Sequence, residues 1–474
     1  MSSKHAAGSP MRFERTLLPE VEAMVTIETA PHGVCHLGHK DAKDRRLRLD
    51  ADEQGTVRFH ARPTKDAKPI ELTLDCADAH GATVRHTLVL RPGLPAPGAE
   101  KAAANHAPAG TLRRPLAGDP MALSDQELLS RGYPPRPDPA KHPARYARWH
   151  KRVSQPFTQV TPTKVARPEV RFSKTMTATA TTPQFSPTLP LPPPLMPSPM
   201  MRSPMMRSQF NASWNTWSGA YLTRPASQFF WIEADWKVPG VFNFGNQPYS
   251  AAAEWIGLDN SGTDLYQSGT DSECWFIPFF GGWTFTNYWM WIESLPFAPW
   301  ALPNFPLSPG DSVSVDIFVA DENGQTWFKD GYNGGLTPAD NSVWFMIYNY
   351  SKGLSYWGTL PTGRYSQDGY TSTGYTGSTA EFVVERPTDT DSGNPYPLAF
   401  FGLADMNSCY YADALYGNDP FRLLADGSTP FDGNLTYINM QDSATGNLLA
   451  MPLSVPDPNS PGGYQILWIW VNST

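Results

Sequence analysis

Ala380-Glu381-Phe382-Val383-Val384-Glu385 reads as one β-strand with two unlike faces. Side chains alternate along a strand, so Ala380, Phe382 and Val384 point one way and Glu381, Val383 and Glu385 the other. The β-branched and aromatic residues suit a pleated, half-buried surface. Two carboxylates therefore share one face of a strand whose opposite face is apolar. By itself the pattern fits a solvent-facing pair on an edge strand as well as a pair of working carboxylates.

Similar runs lie on both sides of it: Phe229–Trp236, Ala252–Leu258, Asp264–Ser268, Trp289–Ser294, Ser312–Val319, Trp344–Tyr350, Leu398–Leu403 and Ile466–Val471. Turn formers such as Pro309-Gly310-Asp311 and Glu322-Asn323-Gly324 separate them. Fifteen of the 16 Trp fall after residue 209, and no long amphipathic helix interrupts the pattern. Residues 209–474 thus predict an all-β unit, an antiparallel β-sandwich of two packed sheets.

Upstream, a tail (1–22) leads to a predicted small β-sandwich domain at 23–93, where Ile70, Leu72, Leu74 and Cys76 alternate with polar residues. A Pro/Ala-rich linker (94–121) follows, then a short basic helical segment (122–154). Ser124 and Glu127 form a helix-start pair there, and Gly132 before Pro134 a stop. A second helix across Pro143–Val153 carries Arg145, Arg148, His150, Lys151 and Arg152. It fits either a solvated charged helix or a clamp on the acidic C-terminal body. Residues 155–208 read as a Pro-rich, low-complexity linker open to proteolysis, with nine prolines between Pro183 and Pro204.

Charge and histidine are unevenly spread. All ten His precede residue 151, so the sandwich region has no imidazole for catalysis or metal ligation. Ser-His-Asp, Cys-His and His-based zinc chemistry are excluded there. Residues 209–474 hold 26 Asp and Glu against seven Lys and Arg, whereas residues 1–208 hold 30 basic and 19 acidic residues. An acidic body of this kind is a poor nucleic-acid binder. No run is long and apolar enough to span a membrane. The opening MSSKHAAGSPMRFERTLLPEVEAMVTIE lacks an apolar export-signal core. Four cysteines, Cys35, Cys76, Cys274 and Cys409, allow one bridge per half or four buried thiols. No cofactor or metal constellation stands out, and the Asp389/Asp391 pair reads as a solvated loop.

Read together, several short segments occur in a telling order. Trp214 to Ala220 (WNTWSGA) and Val238-Pro239 come first, then Trp255-Ile256-Gly257-Leu258-Asp259 and Tyr266-Gln267-Ser268-Gly269. Trp291-Ile292-Glu293, Pro309-Gly310-Asp311-Ser312-Val313 and Ala380 to Glu385 complete the set. Over roughly residues 212–405 the chain resembles the glutamic peptidases, the eqolisins. The resemblance implies a concanavalin A-like sandwich and an acid endopeptidase acting on protein or peptide substrates without a cofactor. It assigns Gln267 and Glu385 as the catalytic pair. Trp255, Asp259, Asp271, Glu293 and Glu381 become supporting or substrate-cleft positions. It also implies secretion; a monomer is expected, and the charge asymmetry between the halves separately suggests either a zymogen whose basic N-terminal part is held by the acidic body or a basic accessory domain with no inhibitory role.

The chain departs from the family pattern at Ser294, where a second Trp is usual, and in a longer stretch around Cys274 to Trp283. A carbohydrate-binding or glucanase-like sandwich is the competing reading, since paired carboxylates and many aromatics suit sugars. A catalytically inactive binding relative is the third.

Overall fold

The computed structural model describes residues 10–39, 42–78, 81–93, 119–160, 164–172, 212–224, 229–243, 248–259, 264–278, 282–321, 341–362, 366–367, 370–371, 374–413, 421–424, 435–457 and 464–471. Seven strands open the chain: β1 (Arg12–Leu17), β2 (Ala23–Glu28), β3 (Val34–His39), β4 (Ala42–Asp50), β5 (Thr56–Pro63), β6 (Ile70–Ala77) and β7 (Thr83–Pro92). Five of them form one sheet in the order β1-β7-β6-β3-β4. As the alternation predicts, Ile70, Leu72, Leu74 and Cys76 turn one face of β6 into the core. Cys35 and Cys76, directly opposite on β3 and β6, are joined by a disulfide. Cys274 and Cys409 are buried free thiols.

Two helices follow, α1 (Asp125–Ser130) and α2 (Pro143–Val153). The start of α1 is a full capping box between Ser124 and Glu127, which satisfies two otherwise orphaned backbone donors. Three short strands lie in the stretch that the sequence reads as linker: β8 (Thr158–Gln159), β9 (Val165–Ala166) and β10 (Val170–Arg171).

The C-terminal body comprises β11 (Ala212–Trp214), β12 (Trp217–Thr223), β13 (Phe229–Lys237), β14 (Tyr249–Leu258), β15 (Tyr266–Ile277), β16 (Trp283–Ser294) and β17 (Trp300–Ala301). It continues through β18 (Ser312–Asp321), β19 (Asn341–Asn349), β20 (Leu354–Pro361), β21 (Ser366–Gln367), β22 (Tyr370–Thr371), β23 (Thr379–Glu385) and β24 (Thr388–Asp389). Last come β25 (Leu403–Asp413), β26 (Phe421–Leu423), β27 (Leu435–Gln441), β28 (Leu448–Pro456) and β29 (Tyr464–Trp470). Leu398–Leu403, expected as a strand, makes only isolated bridges at Leu398 and Phe400 before β25 begins.

Pairing resolves the body into two layers. One sheet runs β27-β12-β23-β14-β15-β16, antiparallel throughout. The other runs β29-β25-β13-β18-β19-β20, again antiparallel. Strand β28 pairs with β27 on one side and β29 on the other and joins the layers. Between them lies the main apolar core, to which β23 contributes Ala380, Phe382 and Val384 and β14 contributes Ala252, Ile256 and Leu258. The opposite face of the first sheet carries a second, aromatic cluster.

The N-terminal half packs onto both layers. β5 pairs with β16, and β2 pairs with β5, extending the first sheet. Val25, Phe59, Leu72 and Leu88 share one core with Tyr249, Trp275, Trp283 and Phe285 of the body. Helix α2 lies against the second sheet. Arg145 pairs with Glu233 at 3.1 Å, and Arg148 with Asp235 at 2.7 Å and Asp316 at 3.2 Å. Arg152 closes on Asp316, and the Arg145 guanidinium covers the Trp231 ring at 4.6 Å. Of the two readings of this helix, the clamp is the one the packing displays.

A buried ion pair is dangerous to break by halves, because the remaining charge has neither water nor partner. Asp316 is fully buried and Arg152 nearly so. Arg152→Ala should therefore cost about 3–5 kcal/mol, whereas Arg152→Met combined with Asp316→Leu should cost far less. Urea denaturation of the full chain at neutral pH checks the difference.

Candidate active site

Residues directly opposite in an antiparallel sheet point to the same face, so register alone assembles the site. On the outer face of the first sheet, Glu381, Gly257, Gln267 and Glu293 form one row across β23, β14, β15 and β16. The next row is Val383, Trp255, Gly269 and Trp291. The one beyond it is Glu385, Ala253, Asp271 and Trp289. Glu273 and Asn287 follow, opposite Ala251. Every residue of the expected set except Asp259 thus lies on this one face.

Trp255 holds the centre. Its indole N–H donates to Glu385 Oε2 at 2.8 Å, and its ring meets Trp217 edge-on at 4.8 Å. Gly269 makes room for it: a Cβ there would sit 2.1 Å from the Glu254 carbonyl oxygen and 2.5 Å from the Trp255 Cβ. Neither neighbour can yield without moving backbone, so the row requires glycine. Gln267 and Glu385 stand two registers apart, on either side of this row. In an untwisted strand that offset is about 13 Å, a gap for two long side chains and the reacting atoms between them.

Gln267 is oriented by Glu293, to which its amide nitrogen donates. Burial lifts the Glu293 carboxyl well above its usual range, against the opposing pull of that hydrogen bond. An amide nitrogen carries two hydrogens, and one spent on Glu293 leaves the other for a second acceptor. Glu381 Oε2 lies within 3.0 Å of where a Gly257 Cβ would be, over the same row as Gln267. Burial, with Glu273 adding repulsion, raises Asp271 far above the carboxylate range.

Asp259 does different work. It ends β14 with φ 102° and accepts from the Thr376 N–H at 2.8 Å, the Thr376 hydroxyl at 2.6 Å and the Gly377 N–H at 2.7 Å. These bonds fix the turn that feeds β23 and so set the register of Glu381 and Glu385. Burial raises it to about 6 despite those donors.

The sequence reading did not anticipate what covers this face. Residues 164–172 cross it. β9 pairs with β17, and β10 pairs with β24, only three residues beyond Glu385. The Arg167 N–H donates to the Pro299 carbonyl at 2.9 Å, and the Thr390 N–H to the Glu169 carbonyl at 3.1 Å. Arg167 pairs with Glu273 at 2.8 Å and covers the Trp289 ring at 4.4 Å. The Phe172 ring lies flat on Trp291, 3.9 Å between centroids and 9° between planes. Gln267, Glu293, Glu381 and Glu385 are all 0% exposed. The only sequence signal for this cover is the alternation in Val170-Arg171-Phe172, too short to separate from its low-complexity surroundings.

The Peptidase A4 family model matches residues 215–334, which include Trp255, Asp259, Gln267, Asp271 and Glu293. None of the curated proteins matches the chain. Among solved structures, scytalido-glutamic peptidase with a peptide-based transition-state analogue is similar at 17% identity and a TM-score of 0.37. That likeness covers 54% of this chain and 98% of the other. SCP-B, an eqolisin-family peptidase in complex with the tripeptide Ala-Ile-His, is similar at 16% identity and a TM-score of 0.33, with the same coverages.

Directly beneath the site, Glu254 faces the core, accepts from the Thr270 hydroxyl at 3.0 Å and is raised by burial to about 8. The folded chain therefore holds a proton there that the unfolded chain releases above its ordinary 4.5. Stability from this group is full below that value and fades as pH rises toward about 8. Glu254→Gln should flatten the pH dependence of the urea midpoint between those limits, which denaturation at four or five pH values checks. The ordered motifs from Trp255 to Glu293 lie within residues 215–334, the part of the C-terminal body that matches the Peptidase A4 family.

Proposed function

We propose that the protein is an acid endopeptidase working through Glu385 and Gln267. The observation that carries this reading is their shared face, on which Trp255 fixes the Glu385 carboxylate and Glu293 orients the Gln267 amide. The scissile carbonyl lies over the Trp255 row between them. Ionised Glu385 takes a proton from the attacking water, and the free N–H of Gln267 meets the developing oxyanion. Protonated Glu385 then passes its proton to the leaving amine. Neither role needs imidazole, and an amide keeps its donor at any pH where the carboxylate works.

Glu385→Gln should abolish cleavage of a denatured protein at about pH 4, and Gln267→Ala should lower kcat about 10²–10³-fold. The acid activity of the unsubstituted chain should survive pepstatin. Cleavage unchanged by Glu385→Gln would move the chemistry elsewhere.

We also read the chain as a zymogen. The N-terminal half covers the site face and grips the second sheet, and its contacts weaken in acid. At α2, burial alone would raise Glu233 and Asp235. The Arg145 and Arg148 guanidiniums outweigh it and hold both carboxyls below their usual range. Their stabilisation is present above the ordinary values of 4.5 and 3.8 and is lost as pH falls through the depressed ones. On β5, burial and the Lys352 charge push His60 down from 6.5 to about 4. The packed state favours neutral imidazole, so it loses stability as pH falls through that window. His60→Phe should keep residues 1–208 docked to a lower pH, read as a downward shift in the pH at which limited proteolysis releases them.

A further inference from the structure

Residues 165–166 and 170–171 are held by strand addition on either side of a turn, closed by the Val170 N–H donating to the Arg167 carbonyl at 3.1 Å. Backbone hydrogen bonds join them to β17 on one side and β24 on the other, and one side chain is sunk into an aromatic pocket. That pocket is Phe172 against Trp291, with the Trp289 ring 6.0 Å away and Leu295 and Ala301 in the same cluster. Trp291 stands beside Gly269 and Glu293, one strand from Gln267. Flat overlap of two rings is specific to an aromatic guest, because an aliphatic side chain fills the volume without the stacking.

We infer that Val170-Arg171-Phe172 occupies the path of a substrate as an internal pseudo-substrate. On this assignment Trp291 is the floor of the principal side-chain subsite, and the enzyme takes peptides bearing Phe, Tyr or Trp at that position. The inference rests on the Glu385/Gln267 reading for the identity of the reacting centre. It makes Trp291 a specificity-determining residue and Phe172 the plug of its own site. Opening of the N-terminal half exposes the subsite and the catalytic pair together, since the same segment covers both.

Two measurements on the full chain keep the two readings apart. First, the chain is incubated at about pH 4 with a complex peptide mixture and the cleavage sites are mapped by mass spectrometry. Aromatic residues should be enriched about ten-fold at one fixed position relative to the cut. Trp291→Leu should reduce cleavage at those sites about ten-fold more than at the rest. Glu385-dependent cleavage without such enrichment, or enrichment indifferent to Trp291→Leu, overturns the subsite and leaves the catalytic pair standing.

Second, binding is followed by tryptophan fluorescence in the full chain carrying Phe172→Ala and Glu385→Gln. The probes are a synthetic Pro-Glu-Val-Arg-Phe-Ser-Lys peptide and its counterpart with alanine in place of phenylalanine. About ten-fold tighter binding of the first supports the subsite even if no cleavage is seen, a result that would sink only the catalytic pair. Equal binding of the two peptides overturns the inference.

Discussion

Trp255 is the residue on which the site depends. Its indole donates to Glu385, and its ring occupies the row between Glu385 and Gln267. It can lie there only because Gly269, directly opposite, presents no side chain. The same strand ends in Asp259, whose bonds to Thr376 and Gly377 fix the entry to β23. One strand thus sets where Glu385 sits along its own strand and where its carboxylate points. A shift of one residue in that register would turn Glu381 and Glu385 into the core.

Two opposed pH dependences are built into the one chain. The body buries carboxyls raised by desolvation, Glu254, Asp259, Asp271 and Glu293 among them, and these favour the folded state as protons are added. The contacts of the N-terminal half mix both kinds, since burial also raises Asp316 beneath α2 and Glu22 beside Thr286. Glu233 and Asp235 are held down by arginines, Glu169 by Arg167 and Arg48 against its own desolvation, and His60 is kept neutral by burial. The charge asymmetry visible in the composition meets at defined contacts, Arg145 on Glu233, Arg148 on Asp235 and Arg167 on Glu273 among them.

Much of the fold was legible because strand alternation is a local property. Thr379–Glu385 runs as expected, and the alternation in β6 points its apolar face inward. The segments expected at Ala252–Leu258 and Asp264–Ser268 proved to be parts of longer strands, β14 and β15. Their polar ends, Ser250 and Ser272 among them, lie outside the expected segments but are buried in the sheet. Leu398–Leu403 shows the opposite error, an apolar run that contributes single bridges only.

The sequence by itself determined the class of fold, the absence of imidazole chemistry in the body, and the ordered residues from Trp255 to Glu385 that carry the family likeness. All of these reside in composition, period-two alternation and short motifs, which need no partner to be read. Only the tertiary structure decided that Gln267 shares a row with Glu381 and Glu293 while Glu385 shares one with Asp271. It alone seated the α2 arginines on Glu233, Asp235 and Asp316, and laid Phe172 on Trp291. Each of these joins residues far apart in the chain. Register and docking are fixed by which surfaces exclude water together, and no local pattern encodes that choice.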